Sequence, residues 1–500
     1  MNHKNLSDVL ENTSYTIVKG DLHVQINDVV YDSRKANKDN AFVCIIGAVT
    51  DGHKYIESTL QQGCKVIVIE RDLEELPVLD AYRDITVIKT ESTKKALAAM
   101  AAAIYDYPDK KLTTIAITGT KGKTTTSFMI RDILEQHGKK VGVIGTTGIY
   151  MGEKFIENPN TTPQSYEIHK YFSMMLEEGC DTCVMEVSSQ ALKLDRTYQI
   201  MFDYGIFTNL APDHIGENEH ADYDEYVYCK SLLFKQCVHG VFNIDDEETS
   251  KMVKNAVCDI HTFGFNSIAD LYADHIDYIV RPGFIGIGID LHGTIEEHIE
   301  VSIPGKFSAY NAMAAIMTAE LIGVEIRDIK AALSNTFVKG RVETVKISDQ
   351  FTLLIDYAHN AMSMESLLST IRKYHPKRIV SLFGCGGNRS KLRRYEMGET
   401  SGRLADLSVI TADNSRFENV MDIIEDIKVG MKKTDGEYVV IPDRKEAIRY
   451  CIENAKAGDI VLLLGKGHED YQEIEGVKHP FDERVIIKEI LDEIGDNYLK

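Results

Sequence analysis

Short apolar runs alternate with helical stretches along the whole chain, and the alternation changes character twice. From the N-terminus to Pro108 the runs VQINDVVYDS, AFVCIIG, KVIVIE and DITVIKT are separated by the helical stretch HKYIESTLQQG, which predicts a small α/β domain. Ala is the best helix former and Pro cannot continue a helix, so the Ala-rich stretch Ala96 to Tyr107 predicts a packed helix stopped by Pro108. From Leu112 strand, glycine turn and helix recur: LTTIAIT, GTKGKTTTSFMIRDILEQHG, KKVGVIG, a long helix before DTCVMEVSS, then YGIFTNL. Strands alternating with helices mean a parallel sheet covered on both faces. A hairpin-rich stretch from Tyr278 to Ile303 follows, then a helix from Ser308 to Ile322 ending at Gly323. A third block opens at Gly340 with TVKISDQFTLLIDYAHN, continues through KRIVSLFG, LSVITADN, EYVVIPD and DIVLLLGKG, and closes with a helix from Asp482 to Ile494.

The pattern predicts an α/β protein of three domains: 1–110, a small α/β domain; 111–338, a central domain built on a mostly parallel sheet of P-loop type; and 339–500, a C-terminal Rossmann-like domain. The length of 500 residues agrees, being too long for one ordinary core. Hydrophobic residues at 44% and charged residues at 27% exclude disorder, collagen and coiled coil as the main architecture. A net charge of -21 argues against nucleic acid as a partner, so any anionic ligand needs local cations, helix N-termini or metal. No apolar run reaches the ~18 residues that span a bilayer, and the N-terminus lacks the pattern of a signal peptide. A cytoplasmic enzyme of small-molecule substrates, not inserted in a membrane and monomeric, is the expectation. Nine scattered cysteines suit reduced thiols, and the CxxC pair Cys180 and Cys183, entering an apolar strand, reads as buried structure rather than metal ligation.

The strongest chemical signal is Gly119, Thr120, Lys121, Gly122, Lys123, Thr124 and Thr125, placed between an apolar strand and a helix. Glycines let backbone N–H groups curl around phosphate oxygens, the helix dipole favours the anion, Lys123 reaches the terminal phosphates and Thr124 can ligate Mg²⁺. The loop is shorter than the usual P-loop, since position 117 is Ile. Ligands collect at the carboxyl ends of strands in open α/β sheets. Glu186 in VMEVSSQAL and Asp213 and His214 in APDHIGENEH fall at such ends and could hold metal with Thr124. Asp222 to Glu225 reads as a capping box opening a helix that carries Tyr226 and Lys230 toward the same region. The third block adds RVE at Arg341 to Glu343, DYAHN at Asp356 to Asn360, FGCGGNR at Phe383 to Arg389, ADNSR at Ala412 to Arg416 and GKGHEDYQ at Gly465 to Gln472.

YDSR, DGHKYI, TGTKGKTT, NTTPQS, EVSSQAL, GRVE, DYAHN, FGCGGNR, ADNSR and GKGHEDYQ stand in the order of the Mur ligases, and from about Tyr31 to Phe481 the chain resembles that family. The resemblance implies ATP-dependent amide-bond formation in peptidoglycan precursor synthesis, with the first domain binding UDP, the second ATP and the third the amino acid. Among the members it is most similar to those adding the third amino acid to UDP-N-acetylmuramoyl-L-Ala-D-Glu through an acyl phosphate. By resemblance Ser33 and Arg34 seat the UDP group, and Asn160, Thr161, Thr162, Ser188 and Arg196 the sugar and peptide. Lys123, Thr124, Glu186 and His214 match the phosphate and Mg²⁺ positions, and Lys230 the lysine that is carbamylated in the family. Asn311 matches an adenine contact, Arg341 a phosphate contact, and Asp356 with His359 further nucleotide contacts.

Arg389, Asp413, Asn414, Arg416, Gly465 and Glu469 match the amino-acid pocket. The family's DNPR segment marks meso-diaminopimelate, because an Arg can pair with the distal carboxylate that lysine lacks. Here Ser415 replaces the Pro and Arg416 is kept, which points to diaminopimelate, with L-lysine or another amine as the alternative. Other departures are Lys121 for the usual Asn, Gln190 for His, AMSM after DYAHN and the IGENEH loop. A folylpolyglutamate or cyanophycin-type ligase would share the ATP loop but not the N-terminal DSR segment or ADNSR. A regulatory ATP-sensing module would not need Glu186, His214, Lys230 and the last-domain motifs together.

Overall fold

A computed structural model describes residues 3–47, 50–213, 215–216, 219–281 and 284–495. The chain divides into two compact units, residues 1–270 with 313–328, and residues 271–312 with 329–500. Among the described residues the first unit holds two large sheets and a two-stranded pair, and the second holds a six-stranded sheet, an antiparallel meander and a two-stranded hairpin.

In the first unit, strands Tyr15–Lys19, Thr86–Thr90, Val66–Ile69, Asn40–Val43 and Asp28–Val30 lie side by side in that order, parallel apart from the first. The Ala-rich helix spans Thr93–Ile104 and stops short of Tyr107, since Asp106 and Tyr107 take left-handed φ of 58° and 50°. A residue before proline avoids the helical region, so the helix ends three residues earlier than the composition predicts. Its small side chains are almost all buried, packing with Leu6, Val9 and Val29.

The second sheet of this unit runs Lys154–Ile156, Gly148–Met151, Val141–Gly145, Thr182–Glu186, Thr113–Thr118, Phe202–Phe207, Cys237–Asn243, Asp259–Gly264. Thr113–Thr118 is central, with parallel neighbours on both sides. Helices Lys123–Gln136 and Ser165–Glu177 cover the sheet with apolar faces of Phe128, Ile130 and Ile133 and of Ile168, Phe172 and Met175. The strands Cys237–Asn243 and Asp259–Gly264 escape the hydrophobic pattern because Val238 is exposed and His239, Gly240 and His261 interrupt it. Cys180 and Cys183 are buried without a disulfide, as the apolar setting predicts.

The second unit carries the meander Leu271–Arg281, Phe284–Gly293 and Glu297–Val301, which begins earlier than the hairpin pattern suggests. Its six-stranded sheet has the order Glu343–Val345, Thr352–Asp356, Asp459–Leu464, Arg378–Phe383, Leu407–Ile410, Tyr438–Val440, parallel apart from the first strand. The final helix, Glu483–Ile494, is capped by Asp482, and its Glu483 pairs with Arg444, both side chains fully buried. A short hairpin of Tyr471–Ile474 and Val477–Pro480 follows the GKGHEDYQ motif. No helix among the described residues is long and apolar enough to cross a membrane.

Candidate active site

Four carboxyl ends of the central sheet come together in the first unit. Gly119 leaves Thr113–Thr118 with φ of 148°, where a side chain would collide with Thr208 at the end of Phe202–Phe207. Gly122, at φ of 88°, turns the loop into helix Lys123–Gln136. Thr208 and Asn209 fasten the loop from the side, each donating to the Lys121 carbonyl at 2.7 and 2.9 Å. The loop is therefore fixed by its neighbours before any ligand arrives, with the first-turn amides of the helix, from Lys123 through Thr125, at its mouth.

Lys123 and Lys230 reach this loop from opposite directions. Lys123 Nζ donates to the carbonyls of Gly119 at 2.8 Å and Thr120 at 3.0 Å. Lys230 Nζ donates to the same Gly119 carbonyl at 2.8 Å and lies over the Tyr226 ring at 4.7 Å. Burial pushes the Lys123 ammonium below its ordinary pKa. Burial, with the Lys123 charge second, pushes Lys230 far below it. The two lysines thus share one acceptor, with Glu186 and Asp213 the carboxylates acting on Lys123 and Asp213 acting on Lys230. The helix bearing Lys230, Tyr223–Ser231, starts at Asp222, which accepts from Glu225 N at 2.8 Å. The return arm of the expected capping box is shifted by one residue, Glu225 accepting from Ala221 N at 2.7 Å.

Beside the lysines, Glu186 is buried and accepts from Thr124 Oγ1 at 2.9 Å, Thr146 N at 3.1 Å and Thr146 Oγ1 at 3.2 Å. Burial raises its pKa, and Lys123 offsets only part of that. Thr124 and Glu186 offer hard oxygen donors side by side, which fits Mg²⁺, and a cation there would favour the ionised carboxylate. Asp213 lies exposed past the next strand, while His214 falls outside the described residues.

The expected acceptor residues lie next to Glu186. Thr162 Oγ1 donates to the Glu186 carbonyl at 2.9 Å and accepts from Ser188 N at 3.0 Å. Ser188 caps helix Ser189–Lys193, and Arg196 Nη1 donates to the Thr162 carbonyl at 2.7 Å. Thr161 meets Thr146 at 3.0 Å, and Asn160 is exposed. Arg196 Nε is buried with no hydrogen-bond partner among the described residues, and burial lowers the pKa of this guanidinium. A buried donor without a partner is costly, so the position can take an acceptor from water or a ligand. Ser33 and Arg34 form a 3-10 turn on which Arg34 pairs with Asp32 at 2.8 Å. Tyr31, just before them, donates to Glu167 at 3.0 Å. Glu167 escaped sequence reasoning because it reads as a first-turn helix charge.

In the second unit, Asp356 Oδ2 accepts from Val342 N at 2.8 Å and Oδ1 from Ala358 N at 2.7 Å. Both oxygens are thus spent on backbone, so Asp356 fixes the segments carrying Arg341 and His359. Arg341 lies over the Tyr357 ring at 5.4 Å, and His359 Nδ1 is 2.9 Å from the Tyr357 carbonyl oxygen. Asn311 is buried on helix Lys306–Ile322.

Three of the residues expected at the amino-acid pocket, Asp413, Asn414 and Glu469, gather around a lysine that sequence reasoning passed over. Lys466, fully buried, donates to Asn414 Oδ1 at 2.9 Å and lies 3.2 Å from Glu469 and 3.6 Å from Asp413. Asn414 Nδ2 donates to Glu469 Oε2 at 2.9 Å, so the amide orientation is set from both sides. Burial would raise the Asp413 pKa, yet Lys466 and then Arg444 hold it below the ordinary value. Arg416, in the left-handed region at φ of 51°, donates through Nε to Glu473 at 3.0 Å and through Nη1 to the Gly387 carbonyl at 3.0 Å. Gly465 turns at φ of 107° beside Asp413, and Arg389 is exposed.

Comparison with known proteins supplies the context of this geometry. The Mur ligase family catalytic domain matches residues 25–105, the Mur ligase middle domain residues 117–319, and the Mur ligase glutamate ligase domain residues 340–467. A Clostridium acetobutylicum protein named UDP-N-acetylmuramoyl-L-alanyl-D-glutamate--2,6-diaminopimelate ligase 1 is 41% identical over 493 residues, 98% of this chain and 99% of that protein. The chain belongs to the Mur ligase family. As a Mur ligase it is an ATP-dependent, amide-forming enzyme with three α/β sheet domains. A solved UDP-N-acetylmuramoyl-L-alanyl-D-glutamate--2,6-diaminopimelate ligase structure is 25% identical with a TM-score of 0.75, covering 99% of both chains. Mycobacterium tuberculosis folylpolyglutamate synthase complexed with ADP and AMPPCP has a TM-score of 0.56 at 14% identity over 74% of this chain and 92% of that one, a likeness of fold alone.

Proposed function

We propose that this Mur ligase joins meso-diaminopimelate to the D-Glu side-chain carboxylate of UDP-N-acetylmuramoyl-L-Ala-D-Glu at the expense of ATP. The observation that carries the reading is the convergence of Lys123 and Lys230 on one carbonyl oxygen. Lys123 and the first-turn amides of its helix suit a polyphosphate meeting a carboxylate, two anions that repel each other in water, and the buried Lys230 amine stands beside them. Full-length similarity to ligases named for diaminopimelate supports the choice of substrates.

In this reading Lys123 and the first-turn amides hold the terminal phosphates, Arg341 adds a phosphate contact, Asn311 and His359 serve the rest of the nucleotide, and Asp356 holds the segments that carry Arg341 and His359. Arg196, Thr162 and Ser188 orient the acceptor, whose carboxylate oxygen attacks the γ-phosphorus while the β–γ bridging bond breaks and ADP leaves. The amine nitrogen then attacks the acyl phosphate carbonyl, loses a proton, and the tetrahedral intermediate expels phosphate. Thr124 and Glu186, with His214 as the expected third ligand, would hold Mg²⁺, which would supply neutralisation of phosphate charge. A neutral Lys230 amine is the form that adds CO₂ to become a carbamate, releasing a proton and supplying a further anionic oxygen donor. Arg416 pairs with the distal carboxylate of the amino acid, and Glu469 and Asp413 face its ammonium groups.

Incubation with ATP, the UDP-muramoyl-dipeptide and either meso-diaminopimelate or L-lysine tests the reading. Phosphate release that requires diaminopimelate supports it. Release with L-lysine alone would transfer the assignment to lysine, and release with neither would refute it.

A further inference from the structure

The pocket residue Arg416 is held in an unusual way, and the residue holding it belongs to no recognised motif. Ser415 stands where a proline would lock the local φ, and the next residue adopts the left-handed conformation that a side chain as large as arginine rarely takes. Such a backbone persists only when its surroundings impose it. The surroundings here are the strand Tyr471–Ile474. Arg416 N donates to the Glu473 carbonyl at 2.9 Å, and Glu475 N donates to the Arg416 carbonyl at 2.7 Å, forming an isolated parallel bridge. Glu473 N donates to Asn414 Oδ1 at 2.9 Å, so the same strand fixes a second pocket residue.

The Glu473 side chain completes the arrangement. Its Oε2 accepts from Arg416 Nε at 3.0 Å, with both side chains about a quarter exposed. The other flank of the guanidinium is set by the Gly387 carbonyl on Nη1 at 3.0 Å, and at Gly387 any side chain would collide with the Ser415 carbonyl. With Nε and one Nη1 hydrogen engaged, the plane of the guanidinium is fixed and Nη2 has no hydrogen bond among the described residues. The terminal edge, Nη1 with Nη2, is the one that pairs with a carboxylate through two parallel hydrogen bonds.

We infer that Glu473 is a positioning residue that determines amino-acid specificity: it aims the terminal edge of Arg416 at the distal carboxylate of the incoming amino acid and takes over the rigidity that a proline at position 415 would give. The inference rests on the reading of the DNSR segment as the amino-acid pocket. It assigns Glu473 no contact with the reacting atoms, so the effect falls on recognition of the amine rather than on phosphoryl transfer.

The test compares wild type, Glu473→Ala and Glu473→Gln in steady-state kinetics with ATP, the UDP-muramoyl-dipeptide and meso-diaminopimelate. Glu473→Ala should raise KM for diaminopimelate roughly tenfold, the size of one lost charged hydrogen bond, with kcat and the KM values for ATP and acceptor within about twofold. Glu473→Gln keeps an oxygen for Nε and should stay within about twofold of wild type. An unchanged KM for diaminopimelate in Glu473→Ala would overturn the inference. So would a parallel fall in all three substrates, or in both variants, because that would mark a merely structural hairpin. A wild-type protein inactive with diaminopimelate would instead sink the underlying reading of the pocket.

Discussion

The glycine-loop region of the first unit and the region of the second proposed to take the amino acid are both built at the carboxyl edge of an α/β sheet, yet they treat charge in different ways. Lys123 and Lys230 meet at the Gly119 carbonyl, and the carboxylate beside them, Glu186, is itself pushed toward its neutral form by burial. In the second unit buried and half-buried cations sit against anions: Lys466 with Glu469, Arg416 with Glu473, Arg394 with Glu418, Arg444 with Glu483 and Arg484 with Glu343. A glycine loop with a lysine and the free amides of a helix start favours an anion, in our reading polyphosphate. A balanced site favours a ligand carrying both signs, which exchanges partners with the resident pairs, as an amino acid does.

The contrast breaks most severely at Lys123. Lys123→Ala should lower kcat roughly 10³-fold in amine-dependent phosphate release while the second unit still binds diaminopimelate. A loss of only a few-fold would show that the positive charge of the loop is not what the phosphates require. The fold of the first unit can be separated from its site through His169, a fully buried ring whose pKa falls from 6.5 to about 4 because of burial. Its folded pKa is depressed, so the stability it contributes is complete above pH 6.5 and is lost as pH falls toward 4, roughly 3 kcal/mol in all. Urea unfolding of His169→Leu at pH 7 and pH 4.5 should show a smaller acid loss than wild type; equal losses would remove His169 from the account.

Lys230→Ala should reduce the rate about 50-fold and be partly restored by acetate or formate, because a short carboxylate can replace the carbamate oxygen donor. Full activity without rescue would dissociate Lys230 from that role. The smallest effect belongs to the balanced site. Arg416→Ala should raise KM for diaminopimelate about 20-fold with kcat retained, and an unchanged KM for diaminopimelate would remove the basis for choosing it over lysine.

The legibility of the two regions differs for the same reason. The phosphate loop is written in consecutive residues, because a glycine turn, a lysine and a helix start must be neighbours in sequence to cradle one anion. Strand ends at Glu186 and Asp356 were likewise visible as polar residues closing apolar runs, and the end at Phe383 as an apolar run passing into GCGGNR. The strands Cys237–Asn243 and Asp259–Gly264 were not, since histidines and an exposed valine break their pattern. Lys466, Glu473 and Glu167 were hidden because their partners lie far away in sequence, Asn414 for Lys466, Arg416 for Glu473 and Tyr31 for Glu167. The sharing of one carbonyl by two lysines is also a tertiary fact. Spacing could bring Lys230 to the region but not to Gly119.

The most direct test follows oxygen. If the acceptor carboxylate attacks ATP and the amine then displaces phosphate, UDP-muramoyl-dipeptide carrying ¹⁸O in the D-Glu side-chain carboxylate must deliver one labelled oxygen to each inorganic phosphate released in the presence of meso-diaminopimelate. Mass spectrometry of that phosphate should show the single label. Unlabelled phosphate alongside amide formation would contradict the account.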